Sequence, residues 1–311
     1  MATEPTINQA PDAAAGRTVA VTGATGRQGG ATAHRLLAGG WRVRALIRDK
    51  TSPAAAALTD AGAELAFADF DDPASLAPAL EGTTDLFAVP PAAYGPAGSN
   101  HELEFTRGRA LADAAAAAGV RHVVFTGVAS TSGDAFAAPG KRRTEEYLRE
   151  QLPIVTVLRP VRFMTNYLGA PGIGLDGIVD GVHRHLFPPD EPFQIIALED
   201  IAEFAALAFE QPERFAGRTL ELAGDDLTPV EAVAVIGAAI GVELRYEQLT
   251  HDEAAALNPE IAALRQRWID GQRWHADIEA LRVIHPGLRT LTDWLAESGA
   301  AALRASLLGT D

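Results

Sequence analysis

The chain has 311 residues, 47% of them hydrophobic and 22% charged, the composition of an ordinary globular protein with material for about two domains. Its 41 acidic against 26 basic residues give a formal charge of −15, which disfavours direct binding to nucleic acid or to an anionic membrane. There is no cysteine, so disulfides, thiolate metal sites and cysteine nucleophiles are excluded and a reducing, cytoplasmic setting fits. Residues 1–16 carry no basic side chain and no long apolar run, and are expected to be a flexible tail and not a secretory signal. No stretch approaches the roughly 18 uninterrupted apolar residues of a membrane span.

The first element is a buried strand over 18–21, an apolar and β-branched run. It breaks into Thr22-Gly23-Ala24-Thr25-Gly26-Arg27-Gln28-Gly29-Gly30. Glycines spaced three apart between a strand and a helix let the backbone approach a pyrophosphate at the positive helix end. In this reading Gly23 makes the tight turn, Gly26 the close approach and Gly29 the close helix–strand packing. The helix runs over 28–38 and ends at Gly39-Gly40. A second strand over 41–48 ends in Arg48, and Ser52-Pro53 starts a helix as an N-cap with proline at the first position. A third strand covers 63–68, a short helix opens at Asp72-Pro73, and a fourth strand covers 85–89. Then come a long alanine-rich helix over 102–118, a fifth strand over 122–126, a helix over 144–151 and a sixth strand over 154–158.

Strand and helix alternate throughout, which means a parallel sheet with helices on both faces. The predicted fold class is α/β, a doubly wound parallel sheet with a smaller, mainly helical C-terminal domain. The alternation weakens beyond Asn166, and 169–192 is expected to be an irregular segment. A helix follows over 199–210 and a late strand over 219–223. Thr228-Pro229-Val230-Glu231 and Thr250-His251-Asp252-Glu253 are capping boxes, and an amphipathic helix ends the chain over 291–308. The expected organisation is a dinucleotide-binding domain over 17–165 with a returning segment over 196–226. Residues 166–195 and 227–311 form the smaller substrate or partner domain.

From about Arg17 to about Leu295 the chain resembles the NmrA-like branch of the atypical short-chain dehydrogenase/reductases. The resemblance rests on the glycine motif, Arg48 after the second strand, Asp69-Phe70-Asp71-Asp72 after the third, Lys141, and Leu158-Arg159-Pro160-Val161-Arg162-Phe163-Met164-Thr165-Asn166 after the sixth. It implies a Rossmann fold and an NADP cofactor, with NAD as the alternative. Cofactor contacts are implied for Gly23, Thr25, Gly26, Arg27, Gln28, Gly29, Arg48, Asp69, Phe70, Val89, Pro90, Thr126, Lys141, Pro160 and Phe163. Arg48 stands where NAD-selective proteins place an acid for the ribose 2′-hydroxyl, and arginine there suits a 2′-phosphate. Asp49 follows it, and Arg48 has the alternative reading of a solvated cation. Asp69 reads either as an adenine-side hydrogen-bonding group or as a carboxylate capping the next turn.

The superfamily draws its proton donor from a Tyr-x-x-x-Lys motif. Here the tyrosine position is Ala137, and the strand end that elsewhere supplies a serine reads Thr126-Gly127-Val128. Lys141 keeps its place, either holding the nicotinamide ribose or acting in catalysis beside a cation from Arg142 or Arg143. Tyr94 and Tyr167 are the tyrosines placed to replace the missing donor. Phe163, Met164, Asn166 and Tyr167 are candidates for the pocket floor, with plain core packing as the alternative. His183 and His185 read as an exposed pair and no metal site is expected. Trp268 and Trp274 read as packing residues. Three functions stay open: an NADPH-dependent oxidoreductase reducing a small apolar enone, quinone or carbonyl acceptor, a non-catalytic NADP(H) redox sensor acting through a protein partner, and a non-redox enzyme that keeps the nucleotide as a structural element.

Overall fold

The computed structural model describes residues 16–95, 98–132, 138–169 and 175–308; the expected tail up to residue 15 and Ala137 lie outside them. The first strand, β1 (Thr18–Thr22), is followed by α1 (Arg27–Ala38), β2 (Arg42–Ile47), α2 (Pro53–Asp60), β3 (Glu64–Phe67), α3 (Leu76–Leu80) and β4 (Asp85–Ala88). Next come α4 (His101–Ala117), β5 (His122–Thr126), α5 (Pro139–Gln151), β6 (Ile154–Pro160), α6 (Leu198–Glu210) and β7 (Thr219–Leu222). The seven strands form one sheet in the order β3-β2-β1-β4-β5-β6-β7, every neighbouring pair parallel. The order reverses between β1 and β4, so their C-terminal ends open the crevice in which such sheets take ligands.

Side-chain alternation assigns the two faces. Val19 and Val21 of β1 pack with Leu36 of α1 and with Ile201 and Phe204 of α6. Ala20 packs on the other side with Leu111 of α4 and Leu148 of α5. Arg35 of α1 pairs with Glu203 of α6 at 2.6 Å. The α4–α5 contact is close because Gly108 leaves room for Thr144, whose Oγ1 would lie 2.3 Å from a Cβ at that position. Helix α5 starts at Pro139 and not at 144.

A second core gathers Met164, Tyr167, Phe187, Phe193, Ile236, Trp268 and Trp294. It is built by helices Pro229–Ile240, His251–Leu257 and Pro259–Ile269 and by the final helical stretch over 291–308. The Thr228 and Thr250 capping boxes are both formed. Arg162–Phe163, Phe193–Ile196 and Asp225–Leu227 make a small sheet. The expectation of an irregular 169–192 is corrected in part, since Val182–His185 is a strand paired in parallel with Arg245–Gln248. Among the described residues no helix is long and apolar enough to cross a membrane.

Candidate functional site

The glycine turn folds as its spacing requires. Gly23 has φ +61°, a conformation that costs glycine nothing, and its carbonyl accepts from the Gly26 amide at 2.8 Å. A Cβ on Gly29 would lie 2.3 Å from the Gly23 oxygen, whereas one on Gly26 would meet that oxygen at 3.2 Å. Gly29 therefore serves the helix–strand contact and Gly26 leaves space at the mouth. Thr22 joins the two strand ends by accepting from the Val89 amide at 2.7 Å. The first turn of α1 holds no acid, so the positive helix end faces the crevice uncompensated.

A cavity of about 310 Å³ lies over this turn. Gly23, Thr25, Gly26, Arg27, Gln28, Gly29, Arg48, Asp69, Phe70 and Val89 all line it, as does Pro91 in place of the expected Pro90. Arg48 is exposed at the rim and makes no ion pair with a described residue. Its neighbour Asp49 is turned to Thr51, accepting from the hydroxyl at 2.6 Å and the amide at 2.8 Å. These bonds hold the Asp49 carboxyl below its ordinary value. Asp69 has the capping geometry, its Oδ1 accepting from the Asp71 amide at 3.0 Å. Arg27 donates to the carbonyls of Thr165, at 3.2 Å, and Gly169. The Gln28 amide donates to Thr126 Oγ1 at 2.6 Å, and Thr126 lines neither cavity described here. Pro160 accepts from the Ala129 amide at 3.1 Å, and Phe163 packs on the first core; neither lines a cavity described here. The sequence reading missed Arg107 of α4, which closes one wall with three bonds to Asp71: Nε to Oδ1 and Nη2 to Oδ2 at 2.9 Å, and Nη2 to Oδ1 at 2.6 Å.

A second cavity of about 410 Å³ begins one residue beyond Pro91, at Ala92 and Ala93, and includes Val128, Ile261 and Leu264 in its apolar lining. Lys141 points into it with Nζ 3.2 Å from Glu104 Oε1. Glu104 is buried, with His101 Nδ1 3.9 Å from its other oxygen. The approach of α5 to α4 depends on Gly140, where a Cβ would sit 2.6 Å from Glu104 Oε2. The cation expected beside Lys141 is replaced by an anion. Arg142 pairs with Glu146 at 2.9 Å, and Arg143 pairs with Glu102 and lies over the Phe105 ring.

The two tyrosines separate. Tyr94 stands on the rim of the second cavity, 68% exposed. Tyr167 lines neither cavity and belongs to the second core, 1% exposed. Burial pushes its phenol up to about 12. The histidine expectation is corrected too, because His183 and His185 are both buried. Burial, and then the Arg162 charge, pull His183 down to about 3 against a bond to the Gly177 carbonyl. Trp268 and Trp274 pack edge to face at 5.1 Å. Among the described residues no group of three or more His, Asp or Glu side chains is arranged to hold a metal ion.

Seven parallel strands wound in this order, with a glycine turn at the switch point, define a protein of the Rossmann class. Within it the chain belongs to the NmrA-like family, whose model matches residues 15–266. An NmrA-like family domain-containing oxidoreductase of Aspergillus hancockii is 32% identical over 75% of this chain and 75% of its own length. Quinone oxidoreductase 2 of Escherichia coli is 27% identical over 77% of this chain and 80% of its own. The solved structure of an NADPH-dependent quinone oxidoreductase from E. coli superposes with a TM-score of 0.67 at 26% identity, covering 89% of this chain and 98% of that one. The negative transcriptional regulator NmrA, solved with NADP, superposes with a TM-score of 0.72 at 20% identity over 95% and 98% of the two chains.

Proposed function

We propose that this protein is an NADPH-dependent reductase of a small, largely apolar quinone, enone or carbonyl acceptor. The observation that carries the reading is the Lys141–Glu104 pair, set in a partly apolar cavity whose lining starts one residue beyond Pro91 of the glycine-turn cavity. The first cavity fits a phosphorylated dinucleotide. Gly26 gives the backbone approach, the bare α1 N-terminus favours a pyrophosphate, and Arg48, unpaired among the described residues, offers a guanidinium for a 2′-phosphate. When bound, that cofactor supplies the hydride. Lys141 donates hydrogen bonds to the oxyanion that develops on the acceptor, and Glu104 fixes the direction of its Nζ. The apolar part of the lining lowers the local dielectric, which strengthens that interaction. With that cofactor bound, one quinone, one NADPH and one proton would give hydroquinone and NADP⁺, the proton entering from solvent on the exposed Tyr94 side. The quinone and NADPH chemistry carried by the E. coli relative supports this reading.

One observation favours a second reading, a redox sensor. At the strand end where the wider superfamily places a catalytic serine stands Thr126, and its hydroxyl accepts from Gln28. The test measures affinities for NADPH, NADP⁺, NADH and NAD⁺ by calorimetry, alongside NADPH oxidation with a quinone series. For a reductase, Arg48→Ala weakens NADPH about tenfold or more, the worth of one charge-assisted bond, and leaves NADH unchanged. Lys141→Met lowers kcat with little change in NADPH affinity. Binding without turnover, with unequal affinity for the two redox states, establishes the sensor instead.

A further inference from the structure

Among the described residues, the second cavity holds one charged side chain that has no neutralising partner. Two acids line it, and both are engaged. Glu104 is paired with Lys141 at 3.2 Å. Glu260 accepts from the Ser99 amide at 3.1 Å and the Ser99 hydroxyl at 2.7 Å. Asn258 caps its helix by accepting from the Glu260 amide at 2.8 Å. Arg267 also lines the cavity. It is half-buried, and among the described residues its guanidinium has neither an ion pair nor a hydrogen bond. The other arginine of the same helix, Arg265, donates to the Leu249 carbonyl at 2.7 Å. In a chain with 41 acids against 26 basic residues, an arginine left without an acid inside a cavity stands out. A partly desolvated guanidinium without a partner is costly. Its planar fork matches a carboxylate or sulfonate with two parallel bonds.

We infer that Arg267 is a specificity-determining residue that binds an anionic oxygen group on the acceptor. The preferred substrates are then quinones or enones carrying a carboxylate, sulfonate or comparable acidic substituent on an apolar body. The inference rests on the reductase reading for the word substrate, while the binding site itself stands apart from turnover. The cavity has the size of a small-molecule site. Its apolar residues take the ring system, Lys141 addresses the carbonyl oxygen, and Arg267 reads the acidic substituent.

The test uses a matched pair, naphthoquinone sulfonate and the parent naphthoquinone. Each is titrated by calorimetry into the full-length protein with and without NADP⁺, so that no hydride is available and binding alone is read. Wild type is compared with Arg267→Leu and Arg267→Lys. The expected result is that Arg267→Leu weakens the sulfonate about tenfold or more and leaves the parent quinone within about twofold, while Arg267→Lys recovers part of the loss. Raising the salt weakens only the sulfonate complex of wild type, a control that needs no variant. Equal affinity of wild type for the two quinones overturns the inference, as does a parallel loss of both in Arg267→Leu with circular dichroism unchanged. Arg267-dependent sulfonate binding without NADPH oxidation removes the reductase reading and leaves the anion site standing. Turnover that ignores the sulfonate does the reverse.

Discussion

Two glycines only three residues apart carry different tasks, and substitution separates them. Alanine at Gly29 puts a methyl 2.3 Å from a backbone oxygen that cannot move without disturbing β1. Gly29→Ala is expected to destabilise the fold by about 1–3 kcal/mol, the usual cost of overpacking, and to lower the melting temperature visibly. Alanine at Gly26 meets the same oxygen at 3.2 Å from a φ of −94° that any residue adopts. Gly26→Ala should stay within about 1 kcal/mol of wild type in urea unfolding and lose nucleotide affinity instead. Equal losses of stability would refute the division of labour. The glycine spacing was legible because its logic is local. The partnerships of Arg107 with Asp71 and of Lys141 with Glu104 were not, since each joins residues far apart in the chain through tertiary packing alone.

Capping chemistry read well at three helix starts and failed at Asp72, which stands at the N-cap of its short helical turn without a side-chain cap bond. Ser52, Thr228 and Thr250 each cap the helix that follows. Helix α5 begins earlier than its sequence suggests because its N-cap is Ala138, which has no side-chain acceptor to give the start away. Strand Val182–His185 was missed because both of its histidines are buried, a pattern opposite to the polar-outward alternation that marks a strand. Helix α6 depends on a clip no sequence pattern discloses. Asp200, fully buried in its first turn, accepts from Arg289 Nη1 at 2.7 Å, the Arg289 amide at 3.0 Å and His285 Nε2 at 3.1 Å. Asp200→Ala strands those donors and is expected to cost about 3 kcal/mol, measured by urea denaturation. A loss below about 1 kcal/mol would show that the clip contributes little.

At the scale of the whole molecule, acid sensitivity follows from buried bases. Burial lowers His122 to about 4 and His183 to about 3, and takes His185 well below its ordinary value. In the unfolded chain all three titrate near 6.5. Below that pH the unfolded state binds more protons than the folded one, so stability falls as the pH drops and is untouched above about 7. Each histidine removes up to ~1.4 kcal/mol per pH unit across its window. The melting temperature should therefore fall steeply between about pH 6.5 and 4, and His183→Gln should make the slope shallower. A flat profile over that range would mean that these rings are protonated or solvated in the folded protein.

Strand β7 reaches the sheet only after the chain has left β6, run through the strands Arg162–Phe163, Val182–His185 and Phe193–Ile196 and come back along α6. On the ribosome this order has a price in time. Until Leu222 has emerged, the outer side of β6 has no partner, and its row of amides and carbonyls is a template for any other strand nearby. The nascent protein is thus most exposed to misassembly while the segment between 161 and 218 is being made, an interval set by topology and indifferent to how stable the finished molecule becomes.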